Sequence, residues 1–405
     1  MTRLVTLKLI RLVPVMFLVS VLTFSLLEVA PGDPALTIMG DNPPCPSLIE
    51  QELVAEYGEE TDISLLCTQA VYQSVRERFN LDDPIWERYL IWLGNAATGD
   101  LGIRLTNQSF TVLEGIQQTF PVTLQIAIFS MGLALLVSIP MGVWAAFHQG
   151  KGFDRLSGGS SFAIISIPSF LIGLLLIFFF VWRPWMLRNV VLLFAMIWVA
   201  WLLWSALKRI VSRIVSGSEA RAHATTDFVL AATVALVALG LYFWWPDFPR
   251  QGFSRWTSDE GILENFRTAF LPALTVALTE IAVFTRLLRS DIIATLQEDF
   301  ILSARARGFS NRRIMFRHAL RPSSFSLITL AGVAFGRALG GTVIVETIFR
   351  LPGMGRYIVD QGVRLNDYTV VMGGVLVLTT AVVLLNTGVD IAYYYLDPRI
   401  RRGRR

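Results

Sequence analysis

Residues that could do acid–base or metal chemistry are sparse in this chain of 405 residues. The three histidines, His148, His223 and His318, fall in polar stretches between apolar runs, and none has a nucleophile or cysteine at the spacing of a catalytic or metal site. The chain also lacks the Gly-x-x-x-x-Gly-Lys-Ser/Thr pattern of a phosphate-binding loop. We therefore expect no catalytic residue, no metal ion and no cofactor, so any ATP hydrolysis must come from another chain.

Two charged residues fall inside apolar runs. Glu280 lies midway along residues 269–288, and Arg337 lies past the middle of residues 323–347. At about 1.5 Å per residue, both sit roughly 15 Å from the same membrane face. An unpaired charge at that depth costs at least about 2.5 kcal/mol. Two interpretations stay open: a mutual ion pair, which we favour, or two groups that line a translocation path and meet opposite charges on a substrate.

A polar segment, loop 290–322, separates these two apolar runs. A four-residue spacing predicts one helical face formed by Ile292, Leu296, Phe300 and Ala304. Gly308 is expected to end that helix in the left-handed region, and Ser310 can cap a second helix. Pro322 is expected to break the chain before the next span. The loop is thus predicted to be two short helices joined at a glycine.

Small and basic residues alternate at the tip of loop 290–322. We assign docking of another protein to Ser303, Ala304, Arg305, Ala306, Arg307 and Gly308. Arginines alone would be explained by the positive-inside rule for cytoplasmic loops. That rule does not explain the small residues or the helix–glycine–helix form, and both allow close approach of a partner.

The composition places these segments in a membrane protein. Apolar residues make up 54% of the chain and charged residues 16%, below the roughly 25% of soluble domains. Eight apolar runs predict eight membrane spans, at residues 12–30, 120–147, 162–182, 187–207, 228–245, 269–288, 323–347 and 369–393. The first could instead be a signal peptide, but it is long for one. The distribution of basic and acidic residues among the loops places both chain termini on the cytoplasmic side of the membrane.

Residues 31–118 are predicted to lie outside, because they contain fourteen acidic residues and only four arginines. Cys45 and Cys67 share this segment, where oxidation is permitted. A disulfide is one interpretation, and two unrelated thiols are the other.

Aromatic residues at span ends fit membrane interfaces rather than base stacking, so we expect lipid contact and no nucleic acid; examples are Trp182, Trp185, Trp244 and Trp245.

Several stretches resemble the permeases of dipeptide- and oligopeptide-type ATP-binding-cassette importers. Loop 290–322 resembles their "EAA loop", with Leu302-Ser-Ala304 in place of the Glu-Ala-Ala triplet. Residues 346–357, Glu-Thr-Ile-Phe-Arg-Leu-Pro-Gly-Met-Gly-Arg-Tyr, match a family signature. Weaker matches are Ala30-Pro-Gly-Asp-Pro34 and Gly99-Asp-Leu-Gly-Ile-Arg104. The resemblance covers roughly residues 1–35, 79–182 and 247–402.

The resemblance implies an architecture and partners. We expect an all-α polytopic protein that combines a six-helix permease core with an inserted helix pair. Its parts are a tail and first span at 1–30, an external segment at 31–118, spans at 119–182, the inserted pair with a basic cytoplasmic loop at 183–246, and the remaining core at 247–405, with the cytoplasmic coupling loop 290–322 and a basic C-terminal tail. A second, similar permease, two cytoplasmic ATPases and an external binding protein are implied, in a bacterial or archaeal inner membrane. An external gate region is expected around Glu346, Pro352 and Gly353.

Other classes of function remain open at this point. A gradient-driven secondary transporter or channel would need no ATPase, and a membrane scaffold would need no transport. The sequence has no visible internal repeat of the kind common in secondary transporters, and loop 290–322 would then have no role. The resemblance favours the importer permease. Its relatives move peptides, metal chelates or sugars, so the substrate is not specified by sequence.

Overall fold

A computed structural model of the chain describes residues 2–29, 33–39, 45–57, 64–78, 80–216, 221–243, 245–256, 259 and 261–396. Within these ranges the chain is helical between its turns, and an isolated antiparallel bridge joins Ile103 to Thr111. The basic tail expected after Leu396 lies outside the described residues. The structure is consistent with the all-α class inferred from sequence.

The chain divides into two compact units, and the larger one comprises residues 1–168 and 272–405. Helices before the division are α1 (Thr2–Val29), α2 (Pro34–Met39), α3 (Ser47–Tyr57), α4 (Ser64–Arg78), α5 (Ile85–Ala97), α6 (Val112–Phe147) and α7 (Gly152–Ser166). The smaller unit, residues 169–271, contains α8 (Ser169–Ile177), a π-helix (Phe178–Trp182), α9 (Pro184–Ser216) and α10 (Arg221–Phe243). Helix α11 (Gly261–Thr295) begins in the smaller unit and continues into the larger one.

The helices that follow α11 all belong to the larger unit. They are α12 (Asp299–Ala306), α13 (Asn311–Arg313), a π-helix (Ile314–Ala319), α14 (Leu320–Phe349), α15 (Met354–Tyr357), a second π-helix of this series (Ile358–Val363) and α16 (Tyr368–Leu396). Helix α14 packs against α6, α15 and α16, so it connects the segment around α15 to two long helices of this unit.

Among the described residues, five helices are long and apolar enough to cross a membrane. They are Val112–Phe147, Pro184–Lys208, Gly261–Thr295, Asn311–Phe349 and Tyr368–Val389. A sixth is added if the bent pair α7 and α8 with its π-helix forms one span, and shorter apolar stretches occupy Leu12–Leu26 and Ala231–Gly240. The protein is therefore polytopic, and the count of eight spans stays a prediction.

Two prolines bear on the predicted spans. The run at 162–182 was predicted as one span, but α7 ends at Ser166, Ile167 has an extended ψ of 126°, and the helices on either side are bent by 102°, so the run is a single span only if this bent pair crosses the membrane together. Proline disfavours a helical conformation in the residue before it, which explains this break. Pro322 was expected to break the chain, but it lies within α14. The wider turns of the π-helix Ile314–Ala319 come just before it, where an ideal α-helix would place a carbonyl against the proline ring.

The buried core of the larger unit joins α6, α11 and α14. Phe284 and Leu288 of α11 are fully buried, and Ala134 of α6 and Ala334 of α14 belong to the same cluster. Small residues on the flanking helices let large side chains of α11 fill the space between them. This packing fixes the two helices that enter and leave loop 290–322.

Candidate functional site

Loop 290–322 forms a compact helix–glycine–helix unit. The Phe309 N–H donates to the Ala304 carbonyl (3.3 Å) and the Gly308 N–H donates to the Arg305 carbonyl (2.9 Å). This pair of bonds is the Schellman arrangement, which needs a left-handed residue after the helix, and Gly308 has φ +77°. The Ser310 hydroxyl accepts from the Arg313 N–H (3.4 Å) at the start of α13. The glycine hinge and the serine cap were both predicted.

The two short helices of the loop pack on each other through a small apolar cluster. Ile301, Ala304 and Ile314 are buried there, and Phe309 packs against them. Two arginines lie over the Phe309 ring, with the Arg313 guanidinium carbon 4.4 Å from the ring centroid. The loop therefore carries its own core and does not depend on a partner to hold its shape.

The six residues assigned to docking differ in their exposure to solvent. Ser303, Arg305, Ala306, Arg307 and Gly308 are exposed, whereas Ala304 is 1% exposed. Ala304 is buried together with Ile301 and Ile314, so the loop itself covers its side chain. An apolar residue that the assignment omitted is exposed instead: Leu302, at 68%.

The single helical face predicted from the four-residue spacing is wrong. Helix α11 ends at Thr295 and α12 begins at Asp299, so the spacing runs through a turn. Ile292 and Ala304 are buried in different clusters, and Phe300 is exposed. Periodicity could not reveal the turn, because a four-residue spacing remains in the sequence when a helix stops and restarts.

An ion pair that sequence reasoning missed ties α11 to the first turn of α7. The Arg289 Nε and Nη2 groups donate to Asp154, the second bond at 2.8 Å, and the Gly150 N–H also donates to Asp154 (2.8 Å). Asp154 is buried. One signal could have found it: Asp154 is the only acidic residue between Glu114 and Glu219.

Glu280 and Arg337 are brought together by the structure. Arg337 Nη2 lies 3.5 Å from Glu280 Oε1, within reach of an ion pair. Their exposure is unequal, because the Arg337 side chain is 62% exposed and the Glu280 side chain 15%. Glu280 Oε2 is buried with no hydrogen-bond partner among the described residues. The equal depth expected from counting along antiparallel helices agrees with this geometry.

The predicted gate region is built around the buried carboxylate of Glu346. The Thr123 hydroxyl of α6 donates to Glu346 Oε1 (2.6 Å), and the Arg356 N–H donates to Glu346 Oε2 (3.1 Å). The Met354 N–H donates to the same Thr123 hydroxyl (2.8 Å). The carboxylate thus receives a hydrogen bond from the first turn of α15, where orphan N–H groups and the helix dipole favour a negative charge.

Tight packing around Glu346 explains the glycines of this segment. A Cβ atom on Gly353 would lie 2.3 Å from the Glu346 carboxyl carbon, and one on Gly355 would lie 2.5 Å from a Val343 methyl carbon. Between Glu346 and Tyr357, the residue with positive φ is Arg350 (φ 52°), which sequence reasoning missed. Pro352 is exposed. Burial raises the pKa of the Tyr357 phenol.

Cys45 and Cys67 form a disulfide in the structure, with Cα atoms 5.8 Å apart. The bridge links the residues just before α3 to the buried side of α4, where Cys67 is 4% exposed. Closing a loop of this length stabilises a small segment by about 3 kcal/mol, mainly by restricting its unfolded chain.

We expect intact-mass analysis to find no free thiol at Cys45 or Cys67 before reduction and two after it. Protein extracted under alkylating conditions should gain two alkyl groups only when a reductant is present. Serine at both positions is expected to make residues 45–78 more sensitive to limited proteolysis, because the cross-link is lost. Alkylation of both cysteines without reductant would contradict the pairing.

Comparisons with known proteins show what the chain is similar to. Residues 221–402, which include loop 290–322 and Glu346, match the family described as "Binding-protein-dependent transport system inner membrane component". The dipeptide transport system permease protein DppB of Escherichia coli (strain K12) is 30% identical over 392 residues, 97% of this chain and 96% of the relative. The di/tripeptide transport system permease protein DppB of Pseudomonas aeruginosa (strain UCBPP-PA14) is 30% identical over 399 residues, covering 97% of each chain. The oligopeptide transport system permease protein AppB of Bacillus subtilis (strain 168) is 29% identical over 388 residues, covering 96% of each.

Proposed function

Because the chain belongs to the family of inner-membrane permease subunits of dipeptide- and oligopeptide-type ATP-binding-cassette importers, we propose that it forms half of a translocation path for peptides or similar small solutes. A second, similar permease supplies the other half. The polytopic fold supports a membrane-embedded role. The chain is a transport subunit rather than an enzyme.

Loop 290–322 couples this path to a separate cytoplasmic ATPase. The observation that carries this proposal is a self-supported helix–glycine–helix unit that exposes Leu302 among several arginines. An exposed apolar residue with flanking charges is typical of a docking surface, where a few anchors supply most of the affinity. Two ATPases, one for each permease, complete the cytoplasmic side.

The orientation proposed for the chain places loop 290–322 and both termini in the cytoplasm. The acidic segment at 31–118 and the segment around Glu346 then lie outside, where a binding protein delivers the substrate. Loop charges support this orientation, because arginines concentrate in loop 290–322 and acidic residues in the external segment. Alternating exposure of the path to the two sides would follow from rocking of the two permeases.

Replacing Leu302 with glutamate is expected to release the ATPase. A charge at a central anchor of an interface costs about 2 kcal/mol or more, which is roughly a thirty-fold loss of affinity. The measurement is the amount of ATPase that co-purifies with the tagged permease, together with ATP-driven peptide uptake in reconstituted vesicles. Leu65→Glu is the matched control, because Leu65 is also exposed (81%) but lies in the external segment.

The control variant should retain both the ATPase and uptake. If Leu302→Glu also retained the ATPase at wild-type levels, the docking role of loop 290–322 would be wrong. If the wild-type assembly hydrolysed ATP but took up no peptide, the docking role would stand and the peptide substrate would be wrong.

A further inference from the structure

Arg337 presents its guanidinium on an open side of the larger unit, near the middle of α14. Its side chain is 62% exposed although it lies within an apolar span. Among the described residues its ion-pair partner is Glu280, at 3.5 Å, which is a loose contact for a charged hydrogen bond. A guanidinium has five N–H donors, so most of them are left without a partner here.

The exposed face of α14 around Arg337 does not resemble a lipid-facing surface. Its exposed residues are mostly small or polar, with two aliphatic ones, Val333 and Ile344: Ser326, Thr329, Val333, Arg337, Gly340 and Ile344. The exposed residues of α9 are large and apolar by contrast, as in Phe194, Trp198 and Trp201. A charged group in a span generally faces water or a partner rather than lipid. The α14 face therefore borders an aqueous path or another subunit.

Glu280 lies behind the guanidinium rather than in the open space. Its side chain is 15% exposed, and Oε2 is buried. A carboxylate in this position can hold Arg337 in one orientation, but it cannot itself reach a solute on the exposed side. The open side of the guanidinium matches a planar carboxylate, which arginine binds through two parallel N–H groups.

We propose that Arg337 binds the carboxylate of the transported solute and that Glu280 positions it. This inference rests on the proposed function and specifies the substrate class as small solutes that carry a free carboxylate and an ammonium group, such as peptides. When a second carboxylate binds Arg337, that carboxylate, Glu280 and Arg337 together carry a net negative charge, which is costly at this depth. A zwitterionic solute brings its own positive charge, whereas an acidic residue of a second subunit does not.

The test compares alanyl-alanine with alanyl-alanine amide on the whole importer assembly, purified through a tag on this chain and placed in nanodiscs without the external binding protein. Affinity for each peptide is measured by saturation-transfer NMR. Wild type should bind the free acid roughly tenfold or more tightly than the amide, since a bidentate charged contact is lost in the amide. Arg337→Gln should remove that preference, because the affinity for the free acid falls while the affinity for the amide stays unchanged.

Three further variants make the result specific. Arg364→Gln should behave as wild type, because Arg364 is similarly exposed (64%) and ion-paired, to Asp360 at 3.0 Å, but lies outside the spans. Arg337→Lys should keep a reduced preference for the acid, since lysine retains the positive charge but lacks the two parallel N–H groups of the guanidinium. Glu280→Gln should weaken binding of the acid less than Arg337→Gln does, because it frees the guanidinium without removing it.

Equal binding of acid and amide by wild type, or an unchanged preference in Arg337→Gln, would overturn the inference. Failure of wild type to bind either peptide would overturn it as well. The proposed function is tested separately in the same preparation, by ATP-driven uptake into vesicles with the binding protein present. Uptake that is intact and independent of Arg337 would leave the importer role standing and remove only the carboxylate site.

Discussion

Valine in place of Gly308 is expected to uncouple transport from ATP hydrolysis. Gly308 has φ +77°, and a side chain in the left-handed region costs about 1–2 kcal/mol, more for a β-branched residue. The space around a Cβ atom at this position is open, so the effect comes from the backbone and not from a clash. Relief of that strain rotates α13 against α12 and changes the docking surface, which should lower ATP-driven uptake roughly tenfold or more.

Gly99→Val is the matched control for Gly308→Val. Gly99 has φ +93° and equally open surroundings, but it lies in the external segment. The same strain there should leave ATPase co-purification unchanged. Asparagine tolerates the left-handed region, so Gly308→Asn should recover much of the lost uptake. Wild-type uptake by a well-folded Gly308→Val protein would refute the coupling role of this turn.

Alanine in place of Gly353 is expected to give the largest loss of stability. The added methyl group would lie 2.3–2.6 Å from the atoms of the Glu346 carboxyl group, in a site with no room for it. Glu346 would have to leave the Thr123 hydroxyl and the Arg356 N–H, both of which donate to it. Loss of these contacts to a buried charged group costs about 3 kcal/mol or more.

The measurement for Gly353→Ala is the temperature at which the purified protein loses its native size-exclusion profile, together with peptide uptake. Gly341→Ala is the control, since Gly341 lies in α14 with open space around it. Alanine within a helix should be neutral or stabilise the protein by up to about 1 kcal/mol. An unchanged melting temperature for Gly353→Ala would mean that Glu346 does not hold the segment in the way the structure indicates.

The parts of the sites that could be predicted from sequence depend on neighbouring residues. Gly308 and Ser310 were identified correctly, because helix caps follow local backbone rules. The equal depth of Glu280 and Arg337 in the membrane could also be predicted, because it needs only residue counts along two consecutive helices. The helical class followed from the lengths of the apolar runs.

The parts that could not be predicted depend on residues far apart in sequence. Asp154 and Arg289 are separated by 135 residues, and no local pattern links them. Pro322 lies within α14 although a break was predicted, since the outcome depends on whether the preceding turn can widen into a π-helix. Burial of Ala304 depends on how the second short helix crosses the first, and sequence spacing does not specify that crossing.

The internal packing of loop 290–322 has a mechanical consequence. Because Ile301 and Ala304 of α12 share a core with Ile314, the first residue of the π-helix, the unit from α12 to Ile314 should behave as a stiff body under load. Bending is then expected at its two ends, which are the turn between α11 and α12 and the part of the π-helix that follows Ile314. A push on the loop is thus converted into rotation at these joints, and the displacement reaching α11 and α14 depends on joint stiffness more than on the strength of docking.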